Sequence, residues 1–150
     1  MHDFDFLHGT WRVTHRKLRE RLAGSDDWLT LTGPSECRPV LRGIGNIDRI
    51  TLDGNDEWEG MTWRLFDLKE RCWRIHWSDT STGRLDPPLT GTFDGGTGVF
   101  YGDDTHNGTP VRVRFIWRSI DTDHARWEQA FSADGGETWE VNWIMDFTRT

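Results

Sequence analysis

The residues of this chain whose types could do chemistry are six histidines, two cysteines and a few polar groups set among aromatics. His2, His8, His15, His76, His106 and His124 form no H-x-H, H-E-x-x-H or Cys/His set, so no metal site is expected. Cys37 and Cys72 stand far apart, outside any C-x-x-C spacing, and read as reduced thiols. A G-x-S-x-G elbow, a P-loop and a dinucleotide fingerprint are all missing, so no cofactor is implied. Ser132-Ala133-Asp134-Gly135-Gly136-Glu137-Thr138-Trp139 fits the pattern S-x-D-x-G-x-T-W. Its Ser and Asp are suited to tying a hairpin loop over the Trp, a structural role.

Two polar residues stand out by position. His15 shares parity with Trp11 and Val13, which turns it inward, either as a satisfied structural group or as an acid/base with an ordinary pKa of ~6.5. Gln129 is expected on an apolar face between Phe115 and Val141, where its amide needs an internal partner or a ligand. Asn46, after Gly45, reads equally as a turn residue or a polar interior group. Glu128 and Asp146 are expected on the wet face, away from any pocket.

Ten short strands must position these groups, because alternating segments recur between turns rich in Gly, Asp and Asn. They read as Gly9 to Glu20, Trp28 to Cys37, Ile44 to Leu52, Trp58 to Leu68, Cys72 to Ser78, Leu89 to Phe93, Gly98 to Asp103, Pro110 to Ile120, His124 to Ser132 and Thr138 to Arg149. A short helical turn precedes them at Phe4 to His8. Asp86-Pro87-Pro88 interrupts pairing, and with no shift in composition residues 1–150 read as one domain.

Strand register follows from loop lengths. An odd loop over Gly135-Gly136 sets Phe131 opposite Trp139, Gln129 opposite Val141 and Trp127 opposite Trp143. A three-residue loop at Asp121-Thr122-Asp123 sets Trp117 beside Trp127 and Phe115 beside Gln129. The other face then carries Arg112, Arg114, Arg118, Arg126, Glu128, Glu140 and Asp146. In the first half of the chain Trp63, Leu65, Trp73, Ile75 and Trp77 share one side, with Arg64, Arg74 and His76 on the other. The basic run from Arg12 to Arg21 reads as the solvated face of a strand.

Gly9-Thr10-Trp11, after its helical turn, resembles the G-x-W signature of lipocalins and related calycins. The resemblance implies that an Arg near the end of the last strand, here Arg149, packs over that Trp, and antiparallel closure brings the two together. The whole chain is also similar to bacterial DUF1579 and nitrobindin-like calycins, in Phe4-Asp5-Phe6-Leu7-x-Gly9-x-Trp11, Gly43-Ile44-Gly45-Asn46, Leu85-Asp86-Pro87-Pro88, Phe100-Tyr101-Gly102-Asp103-Asp104 and Arg126-Trp127-Glu128-Gln129 through Asn142-Trp143. That implies an all-β fold, a closed antiparallel up-and-down barrel of about eight to ten strands. Nitrobindin-type barrels hold haem through a histidine near the C-terminus. Val141 to Thr150 contains none, which leaves His15 or His76 as the only haem ligands to consider.

A net charge of −7 argues against nucleic acid as a partner. No run of ~18 apolar residues and no N-terminal leader pattern is present, so a cytoplasmic protein without a membrane partner is expected. A homodimer is left open. Ten tryptophans against one tyrosine and eight phenylalanines suit either a thick core or the wall of a pocket. The leading expectation is a barrel that binds a small hydrophobic or aromatic molecule through Trp11, His15, Trp63, Trp77, Phe115, Trp117, Trp127, Gln129 and Trp143. The alternatives are a cofactor-free isomerase, cyclase or hydrolase acting in the same cavity, haem binding through another ligand, and a barrel filled by its own side chains.

Overall fold

Trp11, Val13 and His15 are buried while Thr10, Arg12 and Thr14 between them are exposed, the two-residue period of a half-buried strand. The same period repeats through a computed structural model that describes residues 1–150. Its strands are β1 (Gly9–Leu18), β2 (Trp28–Val40), β3 (Gly45–Leu52), β4 (Asn55–Asp67), β5 (Cys72–Asp79), β6 (Leu89–Asp94), β7 (Thr97–His106), β8 (Thr109–Ser119), β9 (His124–Ser132) and β10 (Glu140–Arg149). Each pairs antiparallel with its sequence neighbours, and β1 pairs with β10, so the sheet closes into an up-and-down barrel without edges. Two short 3-10 turns, Asp5–Leu7 and Leu41–Gly43, are the only helical elements.

All ten expected strands are present. β7 runs longer than expected and β8 begins one residue earlier, because Asn107 and Gly108 both adopt positive φ (49° and 79°). Such a two-residue turn matches the twist of the strands and carries their pairing to His106 and Thr109.

The seam between first and last strands is an antiparallel ladder closed at its end by Arg149. Trp11 lies opposite Arg149, whose guanidinium carbon is 4.0 Å from the indole centroid. The same fork donates to the carbonyls of His8 and Phe6, each at 2.8 Å, and to that of Thr122 at 3.0 Å. Trp11 Nε1 donates to the carbonyl of Leu7 at 2.8 Å. The N-terminal turn is thereby folded under the barrel, and Phe4, 1% exposed, meets Trp73 and Phe93 edge-on at 4.9 and 4.8 Å. This aromatic plug fills one end of the interior.

Two register expectations are corrected. Between β4 and β5 the turn is Leu68 to Arg71, an even number of residues, so odd positions pair with even ones. Trp63 faces His76 and Leu65 faces Arg74 on the outside, while Thr62, Arg64 and Phe66 share the inner face with Trp77, Ile75 and Trp73. In β10 a bulge lies between Val141 and Trp143. Trp143 therefore sits opposite Gln129, Met145 opposite Trp127, and Glu140, expected on the outer face, opposite Phe131. Trp139 stays outside the strand, against Tyr101 and Arg114. The β8–β9 register is as expected, with Phe115 opposite Gln129 and Trp117 opposite Trp127.

Because Arg149 joins three backbone carbonyls and an indole, Arg149→Met is expected to cost about 2–4 kcal/mol. Arg149→Lys should regain less than half of that, since an ammonium cannot reproduce the fork. Urea denaturation measures both; a lysine variant as stable as the parent would show that charge alone closes the seam.

Candidate functional site

Above the plug the barrel is open. A cavity of about 290 Å³ is walled by Trp77 of β5, Phe115 and Trp117 of β8, Trp127 and Gln129 of β9, and Trp143 of β10. Trp143 stands at the centre of the wall, with Trp77 at 90° and 5.8 Å on one side and Trp127 at 89° and 5.2 Å on the other. Phe115 meets Trp127 at 5.0 Å. These are the edge-to-face contacts that indole quadrupoles favour. Gly60 makes room for one of them, because a Cβ there would lie 2.3 Å from the Trp77 ring.

Of the nine expected site residues, those six line the cavity. Trp11 and His15 are buried but lie outside its lining, Trp11 at the seam and His15 behind Trp143. Trp63 faces outward and takes no part, a consequence of the even β4–β5 turn.

His15 has a defined protonation state. Trp143 Nε1 is 3.2 Å from His15 Nδ1, and an indole N–H only donates, so Nδ1 accepts and the proton of the neutral ring sits on Nε2. Burial, and then the nearby Lys17 ammonium, pushes the ring down to about 4. The ordinary value expected from the sequence is thus corrected. Gln129 Nε2 donates to Asn142 Oδ1 at 2.8 Å, a partner supplied by the β10 bulge.

The floor is a buried ion pair formed by Arg64, which was expected on the outer side, and Asp48. Arg64 and Asp48, each 2% exposed, meet at 2.6 Å. Arg64 also donates to Asn46 Oδ1 at 2.9 Å, and Asp48 accepts the Thr62 N–H at 3.1 Å. Asn46 is neither a turn residue nor a pocket group but part of this network. The guanidinium carbon lies 5.1 Å from both the Phe4 and the Trp117 ring centroids, so the pair divides the plug from the cavity. Burial pushes the neighbouring Cys37 thiol up to about 12, which keeps it protonated and unreactive.

The mouth carries charges of both signs. Lys17 and Arg21, expected on the solvated face, turn inward and line the cavity with Asp79, Asp86, Asp103 and Asp104. The phase of Trp11, Val13 and His15 already points Lys17 inward, so that signal was readable. The Asp-box-like segment lies elsewhere and is a hairpin tie. Asp134 accepts from the Thr138 hydroxyl, the Thr138 N–H at 2.9 Å and the Glu137 N–H at 3.0 Å, and Ser132 Oγ accepts from Gly136 N at 2.8 Å.

In comparisons with known proteins, no protein family matches the chain and no curated protein matches it. The closed ten-stranded antiparallel barrel fits a calycin or lipocalin-like fold.

Two stability measurements probe the site. His15 binds its proton less readily folded than unfolded, so the unfolded chain takes up more protons between pH 6.5 and about 4, and stability falls as pH drops through that window. His15→Gln should remove about 2 kcal/mol of the loss between pH 7 and pH 5, seen as a flatter dependence of urea stability. Asp48→Asn leaves the Arg64 charge buried and unpaired and should cost about 3–5 kcal/mol, whereas Asp48→Leu with Arg64→Met should recover much of it. A fully stable Asp48→Asn protein would contradict that account.

Proposed function

We propose that this barrel binds one small aromatic or hydrophobic molecule between Trp77, Trp127 and Trp143. The cavity of about 290 Å³ walled by three indoles at right angles is the observation behind the proposal. It falls at the lower edge of the ~300–1,000 Å³ that hold drug-sized ligands, so it suits a molecule of one or two rings. Kinship with the DUF1579 and nitrobindin-like barrels belongs to the same proposal and is supported by the G-x-W segment and Arg149 at the seam.

The residues present do not suit haem. His15 spends Nδ1 on Trp143 and keeps Nε2 buried outside the cavity lining, and His76 lies on the outer face with Nδ1 against the Asp86 carbonyl. The reading as an isomerase, cyclase or hydrolase drew on His15 and Gln129. Both are engaged with internal partners, so binding is the function the geometry favours.

Titration with naphthalene-sized aromatics should change intrinsic tryptophan fluorescence with one-site saturation. Val113 lines the cavity, and Val113→Phe should fill it, abolishing the response at a stability cost of about 1–3 kcal/mol. An unchanged titration in that variant would place binding elsewhere.

A further inference from the structure

Lys17 and Arg21 stand at the mouth of the cavity without a direct salt-bridge partner. The Lys17 ammonium lies 4.0 Å from the Trp143 ring centroid and the Arg21 guanidinium 5.3 Å from that of Phe131. Both groups are half-buried, and no carboxylate oxygen comes within 4.0 Å of either. Of the five acids around them four have other partners, and the fifth, Asp86, has its pKa raised by burial and by the nearby Asp104 and Asp79 carboxylates. Asp79 accepts from Trp77 Nε1 and Ser81 N–H, Asp104 from Thr105 N–H and Glu140 from Leu22 N–H, and Asp103 pairs with Arg112.

Two cations drawn from water beside each other, each resting on an aromatic ring, are an unbalanced arrangement, because buried charges are normally paired. The titration behaviour agrees. Burial and then Arg21 lower the Lys17 pKa, with only partial compensation from Asp79, and burial lowers that of Arg21 against Asp104 and Glu140. The local carboxylates thus fall short of balancing the desolvation of either cation.

We propose that the ligand is a small aromatic acid, its ring held between Trp77, Trp127 and Trp143 and its single oxyanion turned to the mouth between Lys17 Nζ and the Arg21 guanidinium. This rests on the cavity-binding reading above and adds the ligand's charge and orientation. An oxyanion there accepts charge-assisted hydrogen bonds from both groups while its outer side stays hydrated. A ligand cation finds the Trp143 face already occupied by the Lys17 ammonium. A neutral arene leaves both cations uncompensated.

The test uses one ring system with three charges: 2-naphthoate, 2-naphthamide and (2-naphthylmethyl)trimethylammonium, titrated calorimetrically at pH 7. The acid is expected to bind about tenfold tighter than the amide, and added salt should narrow the gap. Lys17→Met and Arg21→Met should each lower affinity for the acid more than affinity for the amide, shrinking the gap further. Equal affinity for acid and amide, or tightest binding of the ammonium compound, overturns the acid assignment and leaves cavity binding standing. If none of the three binds, both readings fall. The comparison of acid with amide on the unmodified protein decides the matter even if a variant does not fold.

Discussion

A guanidinium inside a barrel is the constraint on which the rest of this structure depends. Arg64 meets Asp48 and Asn46 on one side and the faces of Phe4 and Trp117 on the other. Such a group cannot be left half-solvated in an apolar interior, so the plug seals it from below and Asn46 and Asp48 take its two Nη groups from the side. The interior is divided as a result. Below Arg64 the Phe4 ring packs edge-on against Trp73 and Phe93, and above it Trp77, Trp143 and Trp127 touch edge to face along a wall that leaves a cavity beside them.

The wall of that cavity owes its stiffness to side-chain partners. Trp143 is pinned by its bond to His15, carries Lys17 on its face and is flanked by two perpendicular indoles. Gln129 is oriented by Asn142, which the β10 bulge turns into reach. Pre-organised walls of this kind spare a ligand the entropy of ordering them.

Much of the fold was legible in the sequence because period-2 alternation and turn chemistry are local signals. The ten strands and the β8–β9 register follow from them, whereas the meeting of Trp11 with Arg149 was implied by the resemblance of Gly9-Thr10-Trp11 to the calycin signature. The errors arose where one residue more or less reverses a face. Hydrophobicity argued for Trp63 inside and Arg64 outside, yet the even turn from Leu68 to Arg71 fixes the opposite, and the partners that make Arg64 tolerable come from β3. Those partners, Asn46 and Asp48, carry no signal of their destination. The β10 bulge was equally silent, and it moved Trp143 from Trp127 to Gln129. Lys17 was missed for another reason: its charge outweighed the parity it shares with Trp11, Val13 and His15.

The seam also sets the order in which the molecule can assemble. β1 pairs with β2, close in sequence, on one edge and with β10, at the far end of the chain, on the other, where Trp11 meets Arg149. Until β1 and β10 pair, the sheet is an open ribbon with unpaired backbone at both margins, the form most prone to pair with other chains. Closure across nearly the full chain is slow because its loop entropy is spent before any contact returns it. A single arginine gathering Phe6, His8, Thr122 and Trp11 is thus also the latch that leaves the sheet with no edge to offer another chain.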